Sequence, residues 1–385
     1  MRAARGSFQI GSFRGIPVRV HFSLLIILPV LALLFGGAFR RAAEVAEVPP
    51  ERLVGSPALW GLAVAVGLFV SVFIHELAHT VYALRRGGTV RSITLMMVGG
   101  VSELTEAPPR PRDEALMAAV GPLTSILLAA LLGGATWLLP REGSFNVQFA
   151  LFYMASLNLF LGVFNLLPAF PMDGGRIVRA SLAGRLGMVR ATQVASWLGR
   201  GFAVLFGVWA VLSFNPFLAV IAFFIFMGAQ GEAQQVRMKA TLERVPVADL
   251  MTPRRVGVDA GASLEQALWD LRRQRLLLLP VTEDGRPVGQ VALETLRSVP
   301  DAERMTRTAR EVMVPAVAVR LDEDGWTALR RMAEEEMPQL VVVEADGALA
   351  GTLDVNDVQR GMALYQAREE RRGPQERRWR QERPA

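Results

Sequence analysis

Cysteine is absent from the 385 residues, which excludes disulfides, a thiolate metal site and a cysteine nucleophile. Histidine is almost as scarce, with three residues at His21, His75 and His79. Any metal centre must therefore be assembled from nitrogen and oxygen ligands, with very few nitrogens to draw on. Lysine occurs once, as Lys239, so the formal net charge of +6 is carried by arginine.

What is present is segregated. Hydrophobic residues make up 51% of the chain and charged residues 20%, and the apolar runs lie in the first part of the sequence. This distribution implies a membrane-embedded part followed by a more polar one. In such a chain arginine is first a topology signal, because Lys and Arg collect in cytoplasmic loops; no nucleic-acid partner is expected.

Residues 1–20 contain Arg2, Arg5, Arg14 and Arg19 and precede an apolar run over 22–39. The run is long and no small-residue cleavage site follows, so it reads as a retained first span rather than a signal peptide. Further runs cover 58–84, 115–139 and 147–167, each long enough to cross a hydrocarbon core of about 30 Å. The apolar region 195–229 is interrupted by Ser213-Phe214-Asn215-Pro216, a turn signal that divides it into two spans and brings the total to about six. Arg85, Arg86, Arg91, Arg110 and Arg112 follow the second span, and Arg176, Arg179, Arg185 and Arg190 follow the fourth. The expected topology is a multi-pass cell-membrane protein with its N-terminus and its C-terminal half in the cytoplasm.

The second run contains His75-Glu76-Leu77-Ala78-His79. On a helix the two histidines project from one face about 6 Å apart in height, a spacing at which two imidazoles can hold one zinc ion. Glu76 lies where it can take a proton from a zinc-bound water. A catalytic zinc site usually takes three protein ligands, and no histidine follows His79, so the third must be an acid. Asp173 is the candidate. It lies in Asn165-Leu-Leu-Pro168-Ala-Phe-Pro171-Met-Asp173-Gly174-Gly175-Arg176, after a span that also runs inward, where prolines and glycines let the backbone bend. The topology puts the histidines roughly 8 to 15 Å from the inner end of their span.

From about residue 247 short β-like runs alternate with amphipathic helical segments, as in a soluble α/β domain. This half repeats itself at 62 residues: Asp249-Leu-Met251-Thr-Pro253 recurs as Glu311-Val-Met313-Val-Pro315, and Asp284-Gly285 with Gly289 recurs as Asp346-Gly347 with Gly351. A period seen twice fits a tandem pair of small domains. The expected organisation is a membrane domain over 1–235, a linker over 236–246, repeats over 247–300 and 309–362, and a charged, disordered tail over 366–385.

HExxH in one transmembrane helix, with Asn-x-x-Pro-x-x-Pro-x-Asp-Gly about 90 residues later, resembles the site-2 protease family of intramembrane zinc metalloproteases. The repeats resemble a pair of CBS domains, a combination found in one prokaryotic branch of that family. The resemblance implies a polytopic α-helical membrane protease with one Zn2+ held by His75, His79 and Asp173, and with Glu76 as general base and then general acid. It implies that an extended substrate lies along Gly99-Gly100-Val101 by strand addition, and that Asn165 holds the substrate backbone or the oxyanion. The plain alternatives are a turn at Gly99-Gly100 and a cap or interhelical bond at Asn165. Gly121-Pro122 matches a recurrent family element in the third span. The implied substrate is a transmembrane or membrane-anchored protein in the lipid bilayer, cut near the cytoplasmic face. A CBS-regulated transporter or channel is the alternative from another class.

Nucleotide-binding CBS repeats tend to end in Gly-x-x-Thr/Ser-x-x-Asp. The first repeat has Gly289-Gln-Val-Ala292-Leu-Glu-Thr295, which lacks the hydroxyl and the acid, and the second has Gly351-Thr-Leu-Asp354-Val-Asn-Asp357. Asp357 keeps the ribose-binding acid, but Asp354 stands where a phosphate would lie and repels it. Weak or absent ATP binding is therefore expected, with docking or homodimerisation standing beside ligand sensing as the role of the pair.

Overall fold

A computed structural model describes residues 6–97, 99–106, 110–139, 145–253, 257–274 and 276–365. The expected disordered tail over 366–385 lies outside the described residues. The chain divides into two compact units, with the boundary between Val236 and Arg237.

The first unit opens with strands β1 (Ser7–Phe13) and β2 (Ile16–His21), then helices α1 (Phe22–Val45) and α2 (Pro57–Arg85). Strands β3 (Thr89–Met96) and β4 (Gly99–Glu106) follow, then α3 (Pro111–Leu138) and α4 (Phe145–Asn165). A short helix α5 (Asp173–Leu186) precedes α6 (Met188–Leu212) and α7 (Pro216–Leu242). Six of these helices, α1–α4, α6 and α7, are long and apolar enough to cross a membrane, so the protein is a multi-pass membrane protein.

Local chemistry sets the helix ends. Ser56 caps α2 by accepting a hydrogen bond from the Leu59 N–H, with Pro57 in the first turn. His21 caps α1, its Nδ1 accepting from the Ser23 N–H. The turn over 213–215 separates α6 from α7, and Asn215 Oδ1 accepts from the N–H groups of Phe217 and Leu218 at the new helix start. That break divides the last apolar region into two helices, as its sequence predicts. Pro168 and Pro171 lie between α4 and α5, where the chain runs from Leu166 to Met172 without helix.

One element departs from the sequence reading. Residues 1–20 read as a basic lead-in and 85–112 as a connection, yet the structure pairs them into a four-stranded sheet ordered β1-β2-β3-β4. β2 and β3 run parallel, and the outer pairs β1–β2 and β3–β4 are antiparallel. The local alternation is present in β2, where Ile16, Val18 and Val20 are buried and their neighbours are not. Its partner strand lies beyond two spans, which no local pattern reveals. β4 is an edge strand of this sheet.

In the second unit β5 (Val258–Asp259), β6 (Leu278–Glu283), β7 (Arg286–Ala292) and β8 (Val314–Pro315) form one sheet in that order. β9 (Ala318–Arg320), β10 (Gln339–Val343) and β11 (Leu349–Asp354) form another, ordered β11-β10-β9. Both repeats place a helix, Leu264–Gln274 or Gly325–Glu334, between two parallel strands and then add an antiparallel one. The stretch 236–246, expected as a linker, is helical to Leu242. Leu242 and Val245 are buried in one core with Leu340, Val342 and Leu353.

Candidate metal centre

His75 and His79 are one turn apart on α2, with their ring centroids 4.8 Å apart. Their Nε2 atoms are separated by 3.2 Å, and each is 3.2 Å from Oδ2 of Asp173 at the start of α5. The side chains are 5%, 11% and 13% exposed respectively, so this triangle of donors is largely withdrawn from solvent. No other group of three or more His, Asp or Glu side chains among the described residues is close enough to hold a metal ion.

The ring orientations follow from the outer nitrogens. His79 Nδ1 lies 2.6 Å from the Met117 carbonyl oxygen on α3. A carbonyl only accepts, so Nδ1 carries the proton and Nε2 keeps its lone pair towards Asp173. His75 Nδ1 lies 2.9 Å from Ser125 Oγ, two turns further along α3. The carbonyl contact fixes the tautomer of His79, and both contacts fix the ring angles, as outer partners of metal-binding imidazoles do.

Two imidazole nitrogens and a carboxylate oxygen converging within a buried pocket are suited to a cation. Tetrahedral zinc with bonds of about 2.0–2.1 Å separates its ligands by about 3.3–3.4 Å, and the donor atoms here are 3.2 Å apart. Gly121 on α3 makes room for this arrangement: a Cβ there would stand 2.2 Å from His79 Nε2 and 2.8 Å from His75 Nε2. The residues present fit zinc in number, type and spacing.

A cavity of about 370 Å³ opens beside the triangle and is lined by Glu76, Gly99, Gly100, Asn165 and Asp173 among others. Every site residue that the sequence nominates in this unit thus borders one space. Gly99 and Gly100 belong to β4, not to a turn. Gly100 packs so closely on α2 that a Cβ would fall 2.4 Å from Glu76 Cγ. Asn165 ends α4 and donates through Nδ2 to the Leu161 carbonyl of its own helix, at 2.9 Å.

Sequence reasoning missed Ser102, whose Oγ is 2.8 Å from Glu76 Oε2, as well as Thr80 and Ser125. The available signals were periodic: Ser102 is two residues from Gly100 on a strand, and Ser125 is four from Gly121 on a helix. Arg176 and Glu232 also border the cavity.

Asp357, in the second unit, is 5% exposed and already engaged. It accepts from the Thr252 hydroxyl at 2.7 Å, from the Asp354 N–H at 3.0 Å and from the Arg360 guanidinium. Asp354 accepts from the Asp357 N–H at 2.7 Å in return. The two acids form a reciprocal cap on the helical segment 355–365.

The model of peptidase family M50 matches residues 63–141 and 141–208, and the CBS domain model matches 247–300. The chain is 30% identical to "Zinc metalloprotease MJ0392" of Methanocaldococcus jannaschii over 94% of its own length and 98% of that protein's. It is 32% identical to "Putative zinc metalloprotease Rip3" of Mycobacterium tuberculosis over 94% of both chains. It is 27% identical to "Putative zinc metalloprotease sll0528" of Synechocystis over 90% of this chain and 93% of that one. With the first relative matched along almost its whole length, the chain belongs to peptidase family M50 and is a membrane-embedded zinc metalloprotease of the site-2 protease type that carries a CBS domain.

Proposed function

We propose that the protein hydrolyses peptide bonds of transmembrane or membrane-anchored proteins close to the cytoplasmic face, as in regulated intramembrane proteolysis. The observation that carries this reading is the edge strand β4 running past Glu76 into the cavity that His75, His79 and Asp173 also border. A transmembrane helix satisfies its own carbonyls and hides them from water, so a scissile segment must unwind before attack. An unpaired strand edge offers the unwound segment replacement hydrogen bonds, which offset the loss.

His75, His79 and Asp173 would hold the zinc ion. Zinc bound there supplies a water with a pKa of about 7 and polarises a substrate carbonyl. The remaining work belongs to the chain's own groups. Glu76 accepts the proton of the attacking water and returns it to the departing amine. Gly100, lacking a side chain, leaves β4 close enough to α2 for a strand laid on its free edge to reach that carboxylate. Asn165, which also lines the cavity, is suited to hold the substrate backbone.

His75 and His79 lie ten and six residues before Arg85, the last residue of α2, so they are about 15 and 9 Å from its end. Arginines flank that end, which supports a cytoplasmic location for the cut, for the N-terminus and for the CBS half. For the CBS pair, the engaged state of Asp357 supports docking or dimerisation over nucleotide sensing. The domain limits 1–235, 247–300 and 309–362 remain our division of the chain, with 236–246 contributing buried residues rather than a free tether.

Purified protein incubated with a single-span helical substrate tests the reading. Near-stoichiometric zinc is expected, with cleavage that Glu76→Gln lowers by about 10³-fold or more while zinc is retained. Undiminished cleavage by Glu76→Gln, or by a zinc-depleted His75→Ala chain, refutes it.

A further inference from the structure

Glu76 has a hydroxyl partner whose role the zinc chemistry leaves unassigned. Ser102 faces α2 from β4, two residues past Gly100, and its Oγ lies 2.8 Å from Glu76 Oε2. Thr80, one turn after Glu76 on α2 and 1% exposed, brings its Oγ1 to 3.2 Å from the same hydroxyl. An ionised carboxylate only accepts, so Ser102 donates to Glu76, and its oxygen is left as the acceptor for Thr80. The hydrogen bonds then run in one direction, Thr80 to Ser102 to Glu76, each strengthening the next. Oε2 is occupied by this chain, and Oε1 keeps its lone pairs for a proton.

We propose that Ser102 is a positioning residue for hydrolysis: it holds the Glu76 side chain so that Oε1 faces the cavity, and Thr80 holds Ser102. The inference rests on Glu76 being the base. It adds a link between substrate and catalyst, because the hydroxyl is carried by the strand on which the substrate is proposed to lie. Seating a substrate on β4 and aiming the carboxylate are then functions of one element. Gly100 and Ser102 divide the work. The glycine brings the strand to the helix, and the serine converts that approach into an oriented carboxylate.

Removing the Ser102 hydroxyl leaves the backbone edge, the three zinc ligands and the acid in place. The loss should therefore fall on turnover, on the order of tenfold, and not on substrate binding. The test is steady-state cleavage of a single-span substrate by the full-length chain in detergent or vesicles, with zinc content measured on each sample. Ser102→Ala is expected to lower kcat about tenfold with KM within about twofold of native and zinc unchanged. Ser102→Thr restores the donor and should recover most of the rate, whereas Thr80→Val should give a smaller loss, about threefold. Native kcat in Ser102→Ala, a loss confined to KM, or a Ser102→Thr chain as slow as Ser102→Ala overturns the proposal. Native-like cleavage by Glu76→Gln in the same assay overturns the assignment of the base itself, so the two failures are distinguishable.

Discussion

Replacing Gly121 with alanine should expel the metal by crowding both of its imidazole ligands. The added Cβ would lie 2.2 Å from His79 Nε2, 2.4 Å from His79 Cε1 and 2.8 Å from His75 Nε2. Non-bonded carbon and nitrogen rest at about 3.5 Å, so the closest contact is about 1.3 Å too short. The His79 ring has little freedom to retreat, because its Nδ1 is held at 2.6 Å from the Met117 carbonyl, on the same helix that bears the new methyl group. A shift of about 1 Å in either nitrogen spoils a set of separations matched to tetrahedral zinc. Disturbing outer partners of metal ligands typically costs 10–100-fold in affinity, and displacing the ligands themselves should cost at least about a hundredfold, or about 2.8 kcal/mol. Position 121 directly precedes Pro122 inside α3, so the usual helix preference for alanine over glycine does not apply, and the overpacked contact itself costs about 1–3 kcal/mol. Metal affinity and metal-free stability should therefore both fall. Zinc per chain after dialysis against a graded chelator, read beside a metal-free thermal melt, checks both. Gly121→Ala chains that keep zinc with native affinity would refute the packing argument.

Ser125→Ala removes the partner 2.9 Å from His75 Nδ1 and is expected to weaken zinc 10–100-fold, with activity recovered at saturating zinc; competition titration measures it. Millimolar ATP should leave the thermal transition of the CBS half unmoved, since Asp357 is engaged by Thr252 and Arg360. A ligand at 100 times its Kd would add about 2.7 kcal/mol, so an upward shift in Tm would show that the site is open after all. Asp324 caps the helix Gly325–Glu334 by accepting from the Thr327 N–H at 2.9 Å, and Asp324→Ala should cost about 1 kcal/mol near neutral pH. Burial pushes the Asp324 carboxyl up, but hydrogen bonds from the Thr327 N–H and hydroxyl and from the Trp326 N–H outweigh it and hold the group below the ordinary carboxylate range. Its contribution is thus complete above the unfolded pKa of about 3.9 and lost as pH falls through the lower folded value, so native and variant melts should converge in strong acid.

The parts of this protein that are legible in the sequence are those governed by local periodicity. Four-residue spacing is enough to put His75 and His79 on one face of a helix, because the helix repeats every 3.6 residues whatever surrounds it. Run length alone marks the spans, and Asn215-Pro216 marks the break between the last two. The 62-residue echo of Met251-Thr-Pro253 in Met313-Val-Pro315 likewise predicts two like units, each of which builds its own parallel pair and antiparallel addition. Ser102 and Ser125 carry no comparable mark, and Gly121 is singled out only by the family resemblance of Gly121-Pro122, not by any periodicity. A serine or glycine in an apolar segment looks the same whether it fills a helix crossing or borders a metal centre.

The kind of chemistry is already encoded in the order of the amino acids: an N,N,O ligand set with a neighbouring acid, in a membrane, attached to a tandem α/β module. Composition forces this, since cysteine is missing and only three histidines exist. Tertiary structure alone supplies the rest. It brings β2 against β3 to make β4 an edge, sets Asp173 within 3.2 Å of both histidines, and leaves at Gly121 a space that the two imidazoles fill. These contacts join residues up to 98 positions apart, and no local pattern encodes a distance that depends on how separate helices pack.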